Sequence, residues 1–232
     1  MIKLSRGEKP TIWTDENIQR WTENWQKRVA KKTDWSWPQV NKQSLNHVVT
    51  EAMVKWHHHK CAFCERQVPG ELQIEHFKSK QHYPQDAFDW VNLFLSCGTC
   101  NGIKGEREHD PCLKPDDDDP STYLWVNPIS LKIEAKPGIS VTAKERANYT
   151  VNLYGLDRPE LRYAYLVYWR TITLHDDPPS LLALSNPLVD TSWVAQFIHD
   201  NFPEIKRRAQ PTEEYSLMVR SLIDYIINAS VS

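Results

Sequence analysis

Two Cys-x-x-Cys pairs, Cys61-Ala62-Phe63-Cys64 and Cys97-Gly98-Thr99-Cys100, constrain this chain more than any other feature. Each pair can turn as a tight knuckle that points two thiolates at one ion. Two knuckles complete a tetrahedral sulfur set, which suits Zn²⁺. A single pair is compatible with a redox site or with chance. Two pairs make a structural zinc the expected reading, against four buried free thiols or two disulfides. Five cysteines in 232 residues do not make a disulfide scaffold. The fifth, Cys112, has no partner and is expected to be a small core or loop residue. Residues 65–96 separate the knuckles, a longer span than a usual zinc-ribbon loop. The ion would hold the ends of this segment together and supply folding energy to a stretch with little core of its own.

The rest of the chain reads as helix. Thr14-Asp15-Glu16-Asn17 is a helix start, and Ile18, Trp21, Trp25 and Val29 recur at three- and four-residue steps up to about Lys32. Trp37-Pro38 breaks the pattern. A second helix, from about Ser44 to His58, places Leu45, Val48, Val49, Ala52, Met53 and Trp56 on one side. Pro111, Pro115, the acidic run Asp116 to Asp119, and Pro120 form a loop that cannot stay helical. Beyond it, Thr142-Ala143-Lys144-Glu145 fits a capping box and Gly155 a helix stop. Asp157-Arg158-Pro159-Glu160 starts an aromatic-rich helix, and further helices fit Ser192 to Asn201 and Thr212 to Asn228. The expected organisation is a helical segment at 1–59, a central module at 60–115 and a helical region at 116–232.

Composition bounds the function. Ten tryptophans against seven glycines argue against disorder. A formal charge of −2 excludes a globally basic nucleic-acid coat protein but not a local basic site. Met1-Ile2-Lys3-Leu4-Ser5-Arg6-Gly7 has no apolar signal core, and nowhere do about 18 apolar residues run together. The chain is therefore expected to be soluble and cytoplasmic, with no membrane partner.

Inside the cysteine clip, Leu72-Gln73-Ile74-Glu75-His76-Phe77 alternates apolar and polar residues as a half-buried strand does, and sets a carboxylate beside an imidazole. Trp90 to Ser96 is a second short strand, with Asn92 near its start. The second knuckle runs into a short helix at Asn101-Gly102-Ile103-Lys104-Gly105. This order of strand, loop, strand and helix, carrying His, Asn and Asn, resembles the HNH endonuclease family in its zinc-clipped form. The resemblance implies an α+β, mostly helical fold: a zinc-stapled ββα-metal core flanked by N- and C-terminal helical segments. It implies that His76 is the general base and that Asn92 pins the loop and helps orient His76. Glu75 and Asn101 would ligate a catalytic Mg²⁺ or Mn²⁺, Cys61, Cys64, Cys97 and Cys100 would hold the zinc, and Lys104 would lie near the phosphate backbone. Many family members carry Asp where this chain has Glu75.

The chemistry asks for these types. Histidine titrates near neutral pH and can deprotonate a water. Hard divalent ions prefer carboxylate and amide oxygens. Each residue also has a plainer reading: a satisfied strand-end histidine for His76, a turn cap for Asn92, a helix cap for Asn101. Lys78 and Lys80 are either phosphate contacts or a solvated loop. Three consecutive histidines, His57 to His59, point different ways on a helix and are read as structural. His109 and Asp110 lie close enough in sequence to approach the site. The Asp116 to Asp119 run reads as a turn or helix cap, or as a contact for a basic partner.

The resemblance extends to the PtuB-type HNH nucleases. It rests on the opening Met1 to Pro10, Cys61 to Glu65, Ile74 to Lys80, Trp90 to Gly105, Asp118-Asp119-Pro120 and Tyr154 to Leu161. These nucleases belong to Septu anti-phage systems and a retron-linked variant. The resemblance implies control by a PtuA-type ABC-like ATPase; in retron versions a reverse transcriptase and its multicopy DNA join them. Two alternatives stay open: an HNH ribonuclease that cleaves RNA such as a tRNA loop, and a non-catalytic zinc module that binds nucleic acid or protein. Across residues 55–114 eight Lys or Arg (55, 60, 66, 78, 80, 104, 107, 114) balance eight acids (65, 71, 75, 86, 89, 106, 108, 110). Such a neutral module gains little from counterion release and is expected to need a partner's basic surface.

Overall fold

The computed structural model describes residues 1, 3–68, 70–127, 130–173, 205, 207–210 and 212–229. Helix α1 spans Asp15–Ala30, with the Thr14 hydroxyl accepting from the Asn17 N–H at 3.3 Å as its N-cap. Strands β1 (Gln39–Val40) and β2 (Gln43–Ser44) form a small hairpin leading into α2, Leu45–Val54. Leu45, Val49 and Met53 are its buried stripe. α2 stops short of the expected His58, because His58 and His59 take positive φ (53° and 57°), a conformation that ends a helix.

The central hairpin pairs β3 (Leu72–His76) with β4 (Leu93–Cys97), antiparallel, with Glu75 opposite Phe94 and His76 opposite Leu93. Single 3-10 turns at Pro84–Asp86 and Trp90–Asn92 fill the connection. Helix α3, Gly98–Lys104, follows β4 directly, so the second knuckle forms its first turn. After the acidic loop come β5 (Leu124–Val126) paired with β6 (Ile133–Ala135), then α4 (Val141–Tyr154), α5 (Pro159–Thr173) and α6 (Ser216–Ala229). The expected capping box at Thr142 is corrected: Ser140 is the N-cap, accepting from Ala143 N–H at 3.3 Å, and Thr142 lies inside α4. Gly155 does end α4, at φ 57°, a conformation that favours glycine, and a Cβ there would meet Ile103 Cδ1 at 2.8 Å, so a side chain at 155 would have to displace the tip of Ile103. The expected helix at 192–201 lies outside the described residues.

Every residue of β4 is buried because the hairpin separates two apolar clusters. Ile74, Leu93 and Leu95 join Trp13, Trp21, Trp25, Val49, Met53 and Phe88 from the N-terminal side. Phe94 joins Phe63, Tyr154, Leu161 and Met218 from the knuckle and C-terminal side. Arg6 pins the N-terminal segment across the hairpin's end. Its guanidinium donates to the carbonyls of Trp90 (2.6 Å) and Leu93 (3.1 Å), pairs with Asp116 (2.8 Å), and lies over the Phe94 ring. The acidic run is used within the chain: Asp116 by Arg6 and Lys114, Asp117 by Lys114, Asp118 by Arg146, while Asp119 caps the 3-10 turn at Pro120–Thr122.

Candidate active site and zinc knuckle

The four knuckle thiols come together as their spacing predicts. Cys61, Cys64, Cys97 and Cys100 are buried, and their sulfurs all lie within 4.8 Å of one another. Cys64 Sγ and Cys97 Sγ are 3.7 Å apart, close to the edge of about 3.8 Å expected for a tetrahedron with Zn–S bonds of about 2.3 Å. The Cys97 sulfur accepts from the Cys100 N–H at 3.4 Å, the cap of α3. The Cys97 thiol is held far below its ordinary value by hydrogen bonding, first from Cys100 and then from Cys61 and Cys64. A residue the motif does not contain completes the knuckle: Arg158, whose Nη1 lies 3.7 Å from Cys100 Sγ and 2.9 Å from the Gly155 carbonyl. Four thiolates around a divalent ion would carry net charge −2, and this guanidinium would offset part of it.

A cleft of about 280 Å³ opens beside the hairpin and gathers Glu75, His76, Lys80, Asn101 and Lys104 between Trp35 and Trp37. Glu75 and His76 are neighbours on β3 and so leave opposite faces of the ribbon. They reach one cleft because β3 ends there. The His76 ring is buried, with Trp37 stacked on it (5.7 Å, 23°) and Trp35 edge-on (5.1 Å, 83°). Its Nε2 lies 3.0 Å from the Ala87 carbonyl. A carbonyl only accepts, so Nε2 carries the proton and Nδ1 keeps the lone pair. Burial above all, then the Lys80 charge, lowers the His76 pKa to about 3, so the ring is neutral at physiological pH.

Glu75 is 2% exposed, and burial pushes its pKa up to about 7 against the opposing charge of Lys104. The Lys104 ammonium is itself buried, 2.6 Å from Glu75 Oε1 and donating to the His76 carbonyl at 2.7 Å. A cation therefore already rests on this carboxylate. Asn101 donates through Nδ2 to Gln73 Oε1 at 2.8 Å, leaving its amide oxygen as the atom for a ligand. One carboxylate oxygen and one amide oxygen lining a common cleft fit a hard divalent ion.

Asn92 closes the loop on three backbone groups. Its Oδ1 accepts from Lys78 N–H (2.7 Å), and its Nδ2 donates to the carbonyls of Lys78 (3.1 Å) and Asp86 (2.9 Å). The stretch so fixed ends one residue before Ala87, whose carbonyl orients His76. Lys80 lines the cleft with Nζ 5.4 Å from the Trp35 ring, whereas Lys78 turns away to Asp86 at 2.9 Å. His109 is not in the cleft wall; it packs on Phe77 and Tyr83. His57 is structural: Nε2 accepts from the Leu95 N–H at 3.3 Å. Cys112 is buried against Thr150, and burial pushes its thiol up to about 12. Sequence reasoning missed Trp35 and Trp37 as cleft walls and Arg158 at the knuckle. The signal for the tryptophans was a Trp-x-Trp-Pro break, which reads as a helix stop; Arg158 falls in a helix start and in the Tyr154 to Leu161 stretch, neither of which points to the knuckle.

Among the described residues no helix is long and apolar enough to cross a membrane. Residues 61–107 match the model of the HNH endonuclease family. Over 179 residues the chain is 28% identical to the Septu protein PtuB of Bacillus thuringiensis, a match covering 74% of this chain and 66% of that protein, just under two thirds of its length. The matched segment holds both knuckles, the β3–β4 hairpin, α3 and every cleft residue except the Trp35–Trp37 wall and Asn46, and the chain thus carries an HNH endonuclease domain.

Proposed function

We propose that the protein is a metal-dependent endonuclease of a Septu-type anti-phage pair, with His76 as general base and Glu75 and Asn101 as ligands of the catalytic Mg²⁺ or Mn²⁺. The observation that carries this reading is the neutral His76 imidazole, fixed by the Ala87 carbonyl, in the same cleft as the two oxygen ligands. A divalent ion held there would offset charge on the phosphorane-like transition state and the leaving oxygen. The residues do the rest. His76 Nδ1 takes the proton of a water as its oxygen bonds to phosphorus, and the P–O bond to the leaving oxygen breaks. An incoming phosphate anion opposes the Lys80 charge that now disfavours protonation of the ring, and so makes His76 a better base. Asn92 holds the loop that leads to Ala87, and Lys80 is placed to meet the phosphate. The four cysteines hold zinc as a staple.

The likeness to PtuB supports a partner ATPase of the PtuA type, and the neutral charge of the module supports dependence on it. A retron reverse transcriptase with its multicopy DNA is the further partner of the variant systems. Incubation of the protein in Mg²⁺ with plasmid DNA and with total tRNA, with and without its ATPase, tests the assignment. Cleavage that is lost in His76→Ala is expected. Cleavage confined to tRNA would make it a ribonuclease. Full biological activity of His76→Ala would leave a zinc module that only binds.

A further inference from the structure

Trp37 also lines a second cavity, of about 190 Å³, whose wall does not include His76. Trp21, Trp25, Trp37 and Phe88 line it together with Arg28 and Pro38, and the exposed Asn24 and Ser36 complete the lining. We propose that this cavity is a nucleobase pocket, which takes one unpaired base of the substrate strand while the neighbouring phosphate lies in the His76 cleft. The proposal rests on the nuclease reading above and names its substrate class: a strand with an unstacked nucleotide beside the cut.

Several observations carry it. The two cavities share Trp37, so a phosphate at His76 and a base in the pocket would both lie against one indole. The lining is largely aromatic, with Trp37 edge-on to Phe88 (82°), and stacking on one such ring tolerates any base because every base has a π-face. The cavity is smaller than the roughly 300 Å³ at which drug-sized ligand sites begin, a size for one ring system. Asn24 offers a donor and an acceptor, the pairing an amide makes with a base edge. The pocket is also braced. The Arg28 guanidinium donates to Ser36 Oγ and to the Asp34 carbonyl, holding the segment that carries Trp35 and Trp37. Trp25 Nε1 donates at 2.9 Å to the carbonyl of Lys80, whose ammonium lines the phosphate side. A base stacked within a duplex cannot enter such a recess without leaving its partner.

Abasic interference tests this on the full chain, joined by its ATPase if cutting requires it. Single strands carry an abasic nucleotide at each position in turn. One abasic position next to the cut is expected to slow cleavage on the order of 10- to 100-fold, and a fully paired duplex to be cut more slowly than the open strand. Trp37→Ala should slow cutting of the intact strand by a similar factor and cost nothing more on that abasic strand, while Trp37→Phe retains most of the rate. Asn24→Trp, which adds bulk to the lining from an exposed helix position, should give the same pattern without touching His76. Equal losses on intact and abasic strands would overturn the pocket and leave Trp37 as a prop for His76. Unchanged cutting by Asn24→Trp together with loss of ATPase binding would also overturn it, and would assign the cavity to a partner side chain. If no nucleic acid is cut under any condition, the nuclease reading fails; the same strands titrated against His76→Ala protein then decide the pocket by binding, where absence of an abasic effect counts against it.

Discussion

A buried carboxylate whose main counter-charge is one ammonium responds to two changes, loss of the ammonium and arrival of a better cation. Glu75 and Lys104 are such a pair, both nearly inaccessible and 2.6 Å apart. Removing one partner of a buried pair strands the other. Lys104→Met is therefore expected to cost roughly 3 kcal/mol in protein without added divalent ion. If Glu75 is a metal ligand, Mn²⁺ should restore more stability to the variant than it adds to the native protein, read from urea unfolding with and without the ion. Equal gains would remove Glu75 from the ligand set. His57 shows the opposite sign of linkage to a raised carboxylate. Its pKa is lowered to about 3, chiefly by burial, and its Nε2 accepts from the Leu95 N–H, so a proton there would face a donor. The unfolded chain takes up that proton near pH 6.5 and the folded one does not, so stability falls as pH drops below 6.5. From pH 7 to 5 this one ring accounts for about 2 kcal/mol. His57→Gln keeps an acceptor that does not titrate, and its unfolding midpoint should change less over that range; identical profiles would show the ring is not the source.

At the scale of elements, local signals were legible and distant ones were not. Thr14 caps α1 and Gly155 ends α4 because the physics of a helix end is confined to a few residues. The cap of α4 is Ser140 rather than Thr142, and both hydroxyl residues satisfy the same local rule. The knuckles and the β3–β4–α3 order were legible through fixed spacing, and Asn92 through its place in that order. The resemblance places Lys104 near the phosphate backbone, and the fold buries it against Glu75. Trp35, Trp37 and Arg158 reach the site by tertiary packing, from 39–41 and 58 positions away in sequence from His76 and Cys100, respectively, which no periodicity encodes. The Arg158 contact ties α4 and α5 to the zinc knuckle and carries its own expectation. Arg158→Met, which keeps the stem and removes the charge, should raise the rate of zinc loss to a chromogenic chelator on the order of 10-fold, with Arg158→Lys in between. Cys97→Ser should release zinc outright and lower stability. Zinc retention unchanged in Arg158→Met would reduce the guanidinium to a cap on the Gly155 carbonyl.

For the whole molecule, the hairpin matters because it separates two cores. The N-terminal tryptophans pack on one face and the C-terminal helices on the other, so both flanks support the cleft and neither is an appendage of the nuclease module. Charge sets the complementary limit. Eight basic and eight acidic residues over 55–114 leave the module neutral. Lys104 is committed to Glu75 and Lys78 to Asp86, which leaves Lys80 as the ammonium of these three that is not paired to a carboxylate. Affinity for a polyanion grows with the number of phosphates neutralised, and the logarithm of the binding constant falls with that of salt at a slope of about −0.9 per phosphate on duplex DNA. Bound alone, the protein should show weak affinity and a shallow slope of no more than about −2. With the partner ATPase the slope should steepen by several units, because the added phosphate contacts come from the partner's surface. Fluorescence anisotropy of a labelled duplex from 50 to 300 mM salt reads both slopes. A steep slope for the isolated protein would mean that its own surface gathers the strand, and that the ATPase controls when the cleft is used rather than whether nucleic acid can bind.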